Sequence, residues 1–171
     1  MIYRRRKANM HGLLDQEIVA NKVAAWSSRR PLDFWVYRPA DSDAGQHLLI
    51  THQSQWQRRL MLRYGQDLVF LDATYKTTRY ALPLFFLCVH TNSGYMVVAI
   101  IVMEREDTAS LIEAIRLLQQ NVPEWNPAAF MTDASEIEIT AIRTIFPGSF
   151  FSCVAKRKTY YEALTQIILV T

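Results

Sequence analysis

Three apolar runs dominate the pattern of hydrophobic and polar positions: Leu68–Tyr75, Leu82–His90 and Tyr95–Glu104. Each is rich in aromatic and β-branched residues, which suit a pleated, buried surface. None alternates cleanly, so a sheet covered on both faces is predicted. "TNSG", Thr91–Gly94, is hairpin chemistry between the second and third runs, and the three together read as an antiparallel meander. Helical spacing takes over at "DTASLIEAIRLLQQ", Asp107–Gln120, where Asp107 or Thr108 can cap and Leu111, Ile115 and Leu118 form an inward stripe. Pro123 and Pro127 end it. "AAFMTD", Ala128–Asp133, is a short strand ending on a carboxylate. "SEIEITAIRTIF" opens with the capping-box spacing Ser135-x-x-Glu138 and turns Ile137, Ala141 and Ile145 inward. "SFFSCV", Ser149–Val154, is the last strand candidate.

Upstream, His11–Trp26 reads as an amphipathic helix with Leu14, Ile18, Val19, Val23 and Trp26 at helical spacing. Pro31 and Pro39 bracket a short extended piece holding Phe34, Val36 and Tyr37, and Ala40–Gly45 is a loop. His47–His52 suits a strand. Gln53–Gln66 suits a helix with Trp56, Leu60 and Leu62 inward, stopped by Gly65. From Leu68 onward the order is therefore β-β-β-α-β-α-β. A meander that leads into a right-handed crossover sets the fourth strand parallel to the first. This is an α/β fold of ribonuclease-H-like architecture: a mixed sheet of three antiparallel strands, then parallel strands with crossover helices. The expected organisation is a basic arm, helix and linker over 1–46, a core over 47–153 and a divergent tail over 154–171.

Ordinary globular composition over 171 residues fits one domain, and scarce glycine argues against long linkers. Charge changes the picture at one end. Residues 1–30 carry seven basic against two acidic side chains, a net of +5, in a chain whose total is +3. Arg4, Arg5, Arg6 and Lys7 could track phosphates or act as a nuclear import signal; a solvated, partly disordered terminus is the plainer alternative. Two cysteines, Cys88 and Cys153, make no disulfide framework, and no signal-peptide pattern opens the chain, so an intracellular setting is expected. No apolar run is long enough to cross a bilayer.

Asp72 is the anomaly. Strand interiors disfavour aspartate, and an isolated buried carboxylate is costly. In the predicted arrangement Asp72 lies on the first strand and Asp133 at the end of its parallel neighbour, 133 − 72 = 61 residues later. Neighbouring strands lie about 4.8 Å apart, so the two carboxylates can share Mg²⁺ or Mn²⁺. Two such ions would suit an in-line phosphoryl displacement, with Asp72 bridging both. Plainer roles stay open: Asp133 could cap the following helix, and Asp72 could pair with Lys76 or Arg79.

The stretches "LDATYKTTRYALPLFFLCVHTNSGY" and "FMTDASEIEITAIRTIFPGS", with "SQWQRRLMLRYGQD" and "NPAAFMTD" before the two aspartates, resemble the Mutator-like (MULE) transposase domain over roughly Leu48–Phe151. That is a DDE transposase core, also found in transposon-derived proteins related to the SWIM zinc-finger group. The resemblance implies a ribonuclease-H-like fold, divalent metal, DNA ends as substrate and a nuclear setting. It also implies that Asp72 and Asp133 are the first two acids of a catalytic triad. Thr74, Tyr75 and Lys76 match the strand-end motif and would shape the mouth of the site; Lys76 and Arg79 are candidate DNA contacts beside the basic arm.

The chain departs from that pattern after Cys153. No histidine follows it, and Glu162, the only acid after Glu138, comes too early to be the family's distal Glu. No zinc-site spacing is visible among His11, His47, His52 and His90. A core cut short at its carboxyl end, with weak Mg²⁺ binding and negligible strand transfer, is the resulting expectation. A non-catalytic nuclear domain that binds DNA or protein is the alternative, as is a relic with no selected function. The four tryptophans, Trp26, Trp35, Trp56 and Trp125, are expected to pack in the core or anchor loops.

Overall fold

The computed structural model describes residues 2–74, 81–133 and 135–153, with side chains over 15–74, 81–133 and 135–151. Its elements are α1 (Ile2–Arg29), β1 (Phe34–Arg38), β2 (Leu49–Gln53), α2 (Gln55–Tyr64), β3 (Leu68–Thr74), β4 (Leu84–Thr91), β5 (Gly94–Met103), α3 (Thr108–Asn121), β6 (Ala129–Thr132), α4 (Glu136–Ile145) and β7 (Phe150–Cys153). The described strands form one seven-stranded sheet in the order β1-β2-β5-β4-β3-β6-β7. β3, β4 and β5 are the antiparallel meander, and β6 then pairs parallel to β3, with β7 parallel to β6. This is the ribonuclease-H-like mixed sheet expected from the sequence. β1 and β2 add two antiparallel strands outside β5, a placement periodicity could not supply.

Local chemistry sets the ends of these elements. The Thr91 hydroxyl accepts from the Ser93 N–H and donates to the Gly94 carbonyl, and Gly94 takes φ +111° in the β4–β5 turn. Asp107 caps α3 by accepting from the Ser110 N–H at 2.8 Å. α2 carries a full capping box, with Gln57 N–H donating to the Ser54 hydroxyl and Ser54 N–H donating to the Gln57 side chain. After it, a Cβ on Gly65 would fall 2.5 Å from the Met61 carbonyl oxygen, so only glycine fits that close approach.

Alternation along β3 divides the two faces of the sheet. Val69, Leu71 and Ala73 join the larger core with Phe85 and Leu87 of β4 and the inner sides of α2, α3 and α4. Phe70 points the other way, into a smaller cluster with Phe86, Cys88 and Val97. Asp72, two residues on from Phe70, belongs to that second face. Trp125 anchors the larger core: it is fully buried, donates its indole N–H to the Gly65 carbonyl at 3.1 Å and packs edge-on against Phe130 and Phe146.

Several expectations need correction. α1 begins at Ile2, so the basic segment expected to be partly disordered is helical backbone, and the apolar stripe assigned to it is not a buried stripe. Val23 is buried, but Ile18 and Trp26 are exposed, since α1 touches the sheet chiefly through the edge strand β1. Trp56 is 53% exposed rather than inward; Met61 fills the core position of α2. Trp26 instead stacks on Trp35, which lies over His52.

Trp125→Ala should lower stability by about 3–5 kcal/mol, since it removes a large buried ring and leaves a carbonyl unpaired. Trp56→Ala should stay within about 0.5 kcal/mol of the parent. Urea unfolding of both variants measures the contrast, and equal losses would contradict this core assignment.

Candidate functional site

β3, β5 and β6 run in one direction, so their carboxyl ends share one rim of the sheet. The parallel ladder pairs Leu68 with Ala129, Val69 with Phe130 and Phe70 with Met131, a constant offset of 131 − 70 = 61 residues. Continued two steps, the same offset sets Asp133 opposite Asp72 and on the same face. On its other side Asp72 is registered with Phe86. Its carboxylate is thus flanked by an aromatic ring and a second acid, and the residue is only 3% exposed.

A third acid reaches this rim. Glu138 sits in the first turn of α4, is 1% exposed, and accepts from the Asp133 backbone N–H at 3.4 Å. The capping box expected here does not form: Ser135 caps α4 by backbone alone, with no side-chain hydrogen bond, and Glu138 reaches past it to Asp133. Nor is Asp133 the helix cap, which leaves its carboxylate available to the rim. The sequence contained the signal for Glu138. It lies three and four residues before Ala141 and Ile142, in the inward stripe, and a charge in such a stripe calls for a partner.

Electrostatics follow from this crowding. Burial pushes Asp72 up from 3.8 to about 6, and the charge of Asp133 pushes the same way. Glu138 rises from 4.5 to about 7, chiefly by burial. The Asp133 N–H opposes that rise, while the charges of Asp133, Asp72 and Glu106 add to it. Asp72 Oδ2, Thr132 Oγ1 and Glu138 Oε1 are buried with no hydrogen-bond partner. Buried polar atoms are rarely left this way in a native fold.

Hard carboxylate oxygens, two of them orphaned, are the donor chemistry that Mg²⁺ or Mn²⁺ takes. The fit is partial as the side chains stand: among the described residues, no three His, Cys, Asp or Glu side chains converge closely enough to hold an ion. Lys76 and Arg79, the other residues expected to line the site, lie outside the described residues, as does the tail beyond Cys153. Arg4, Arg5, Arg6 and Lys7 lie on the first turns of α1. α1 runs antiparallel to β1: Tyr37 donates to the Gln16 carbonyl, and the helix ends beside the start of β1. Its basic end therefore extends past the same rim as the acids, on the order of 15 Å beyond Gln16 at 1.5 Å per residue.

The family described as "Zinc finger SWIM domain-containing protein 1/3, RNaseH-like domain" matches residues 38–151. No curated protein and no solved structure matches the chain. Among the described residues no helix is long and apolar enough to cross a membrane.

The raised acids give a pH signature. Each binds its proton more tightly folded than unfolded, so its contribution is full below its unfolded pKa and is lost as pH rises through about 6 for Asp72 and about 7 for Glu138. Metal-free Glu138→Gln should accordingly be more stable than the parent at pH 8, by on the order of 2 kcal/mol, with the gain vanishing toward pH 4. Urea unfolding across that range checks it; a variant less stable at pH 8 would contradict the assignment of Glu138 as a strained acid.

Proposed function

Because the chain belongs to the RNase H-like domain family of zinc finger SWIM domain-containing proteins 1/3, we propose that its acidic rim is a divalent-cation site of Mutator-like DDE transposase lineage, suited to the phosphodiester backbone of DNA. One observation carries the reading: the β3–β6 register sets Asp133 beside Asp72 at the carboxyl rim of a ribonuclease-H-like sheet. Asp72 and Asp133 would hold Mg²⁺ or Mn²⁺, with Asp72 in the bridging position. When bound, such ions would activate a water or 3′-hydroxyl and stabilise the leaving oxygen of an in-line displacement.

The chain's own residues supply the rest. Phe86 and the second cluster keep Asp72 from solvent, which strengthens its interaction with any charge it meets. The basic first turns of α1 would draw DNA toward the rim without reading its sequence, and a nuclear setting suits such a role. Strand cleavage and transfer is the ancestral chemistry. A second reading, a non-catalytic nuclear DNA- or protein-binding domain, draws on that same basic helix and on the exposed Trp26, Leu32 and Trp56.

Electron paramagnetic resonance of free Mn²⁺ tests the site. The parent chain should bind Mn²⁺, and Asp72→Asn should weaken it by about tenfold or more. A parent that leaves millimolar Mn²⁺ free would remove the proposal. DNA binding should fall steeply with salt. Replacing Arg4, Arg5, Arg6 and Lys7 by alanine should flatten the log–log salt slope by about 0.9 for each phosphate that is no longer neutralised. An unchanged slope would clear the arm of any DNA role.

A further inference from the structure

We infer that Glu138 is the third carboxylate of the cation site, taking the place of the distal acid that the sequence lacks. The inference rests on the cation-site reading of Asp72 and Asp133 and adds a ligand to it. Its geometric basis is independent of how any of the three acids titrates.

Glu138 is held at the rim by two constraints. It lies one helical turn before Ala141 and Ile142, both fully buried, so packing of α4 on the sheet drives its side chain inward. Its Oε2 is then tied to the Asp133 N–H, which sets the carboxylate beside the end of β6. Oε1 is left buried with no hydrogen-bond partner, and the facing acid Asp72 has an Oδ2 in the same state. Among the described residues no Lys or Arg forms an ion pair with any of these three acids; the acids that do pair with Arg or His include Glu113, Glu104 and Asp33, all elsewhere. A cation shared at the rim accounts for both orphaned oxygens at once.

A purely structural Glu138 accounts for less. A capping glutamate would accept from the Ser135 N–H, whereas this one accepts from Asp133 through Oε2 and leaves Oε1 unpaired. A cap also needs one oxygen and gains nothing from full burial. The bond to Asp133 is long at 3.4 Å, and the glutamate stem has rotamers to spare. A modest swing would therefore bring Oε1 toward the ion while α4 stays in place. Asp72, Asp133 and Glu138 then complete a three-acid set within 67 residues, from 72 to 138, and a downstream glutamate is not required for the grip.

The test measures Mn²⁺ binding to the whole chain, by paramagnetic resonance and by the Mn²⁺-induced rise in melting temperature. Glu138→Gln should weaken binding by about tenfold or more and abolish the thermal shift, while its metal-free melting temperature stays at or above that of the parent. Glu138→Asp, which keeps the charge one methylene short, should bind at an intermediate level. Glu136→Gln, an exposed acid on the same helix turn, should bind as the parent does. Parent-like binding by Glu138→Gln, alongside loss in Asp72→Asn, would overturn the role of Glu138 and leave the two-acid site standing. Equal weakening by Glu136→Gln would also overturn it, as an effect of bulk charge. Absence of binding in the parent would remove both proposals together.

Discussion

Parallel pairing of β3 with β6 in a single register is the constraint on which the rest of the molecule depends. The side-chain period of a strand is two, so a slip of one residue would turn Asp133 to the opposite face from Asp72. The pairs Leu68–Ala129, Val69–Phe130 and Phe70–Met131 fix the ladder, and the larger core fixes the pairs. Val69 and Leu71 on β3 and Phe130 on β6 all point into that core, where Trp125 and Phe146 close around Phe130. Moving either strand by one residue would bring apolar side chains into the wrong layer. The acids are thus held together by groups that never touch them.

That arrangement carries an energetic cost at the rim. Three acids converge where water is scarce, two of them raised well above the ordinary carboxylate range by burial and by one another's charge. Nothing in the sheet needs this for stability, since apolar residues at 72 and 138 would pack without penalty. Local strain of this kind concentrates at functional sites, where a ligand or ion relieves it. The amino ends of α3 and α4 also face this rim, and their partial positive charge offsets only part of the repulsion.

Much of the fold is legible in the chain because its signals are local. The three runs from Leu68 to Glu104, the Thr91–Gly94 turn and the Asp107 cap each announce themselves within a few residues, and the 61-residue spacing of the acids matches the ladder offset. What escapes is non-local or depends on competing partners. β1 and β2 lie outside β5 through pairs about 50 residues apart in sequence, for example Thr51 with Ile101, which no window reveals. Trp56 and Ile18 sit at helical spacing yet face solvent, because spacing states which residues share a face and not what covers it. Ser135-x-x-Glu138 fits the capping-box motif, but the nearby Asp133 N–H takes the carboxylate instead. The expected salt bridges of Asp72 to Lys76 or Arg79 fall outside the described residues. Charge alone marks the basic arm in the sequence, and its helical backbone follows from continuity with α1.

If the register of β3 and β6 builds a shared cation site, crystals of the chain grown with Mn²⁺ and measured for anomalous scattering will show it most directly. A peak is expected at the carboxyl rim, within ordinary coordination distance of carboxylate oxygens from both Asp72 and Asp133, and with Glu138 turned toward it. Coordinates showing those two carboxylates on opposite faces of the sheet, or Mn²⁺ bound elsewhere while the rim stays empty, would contradict it.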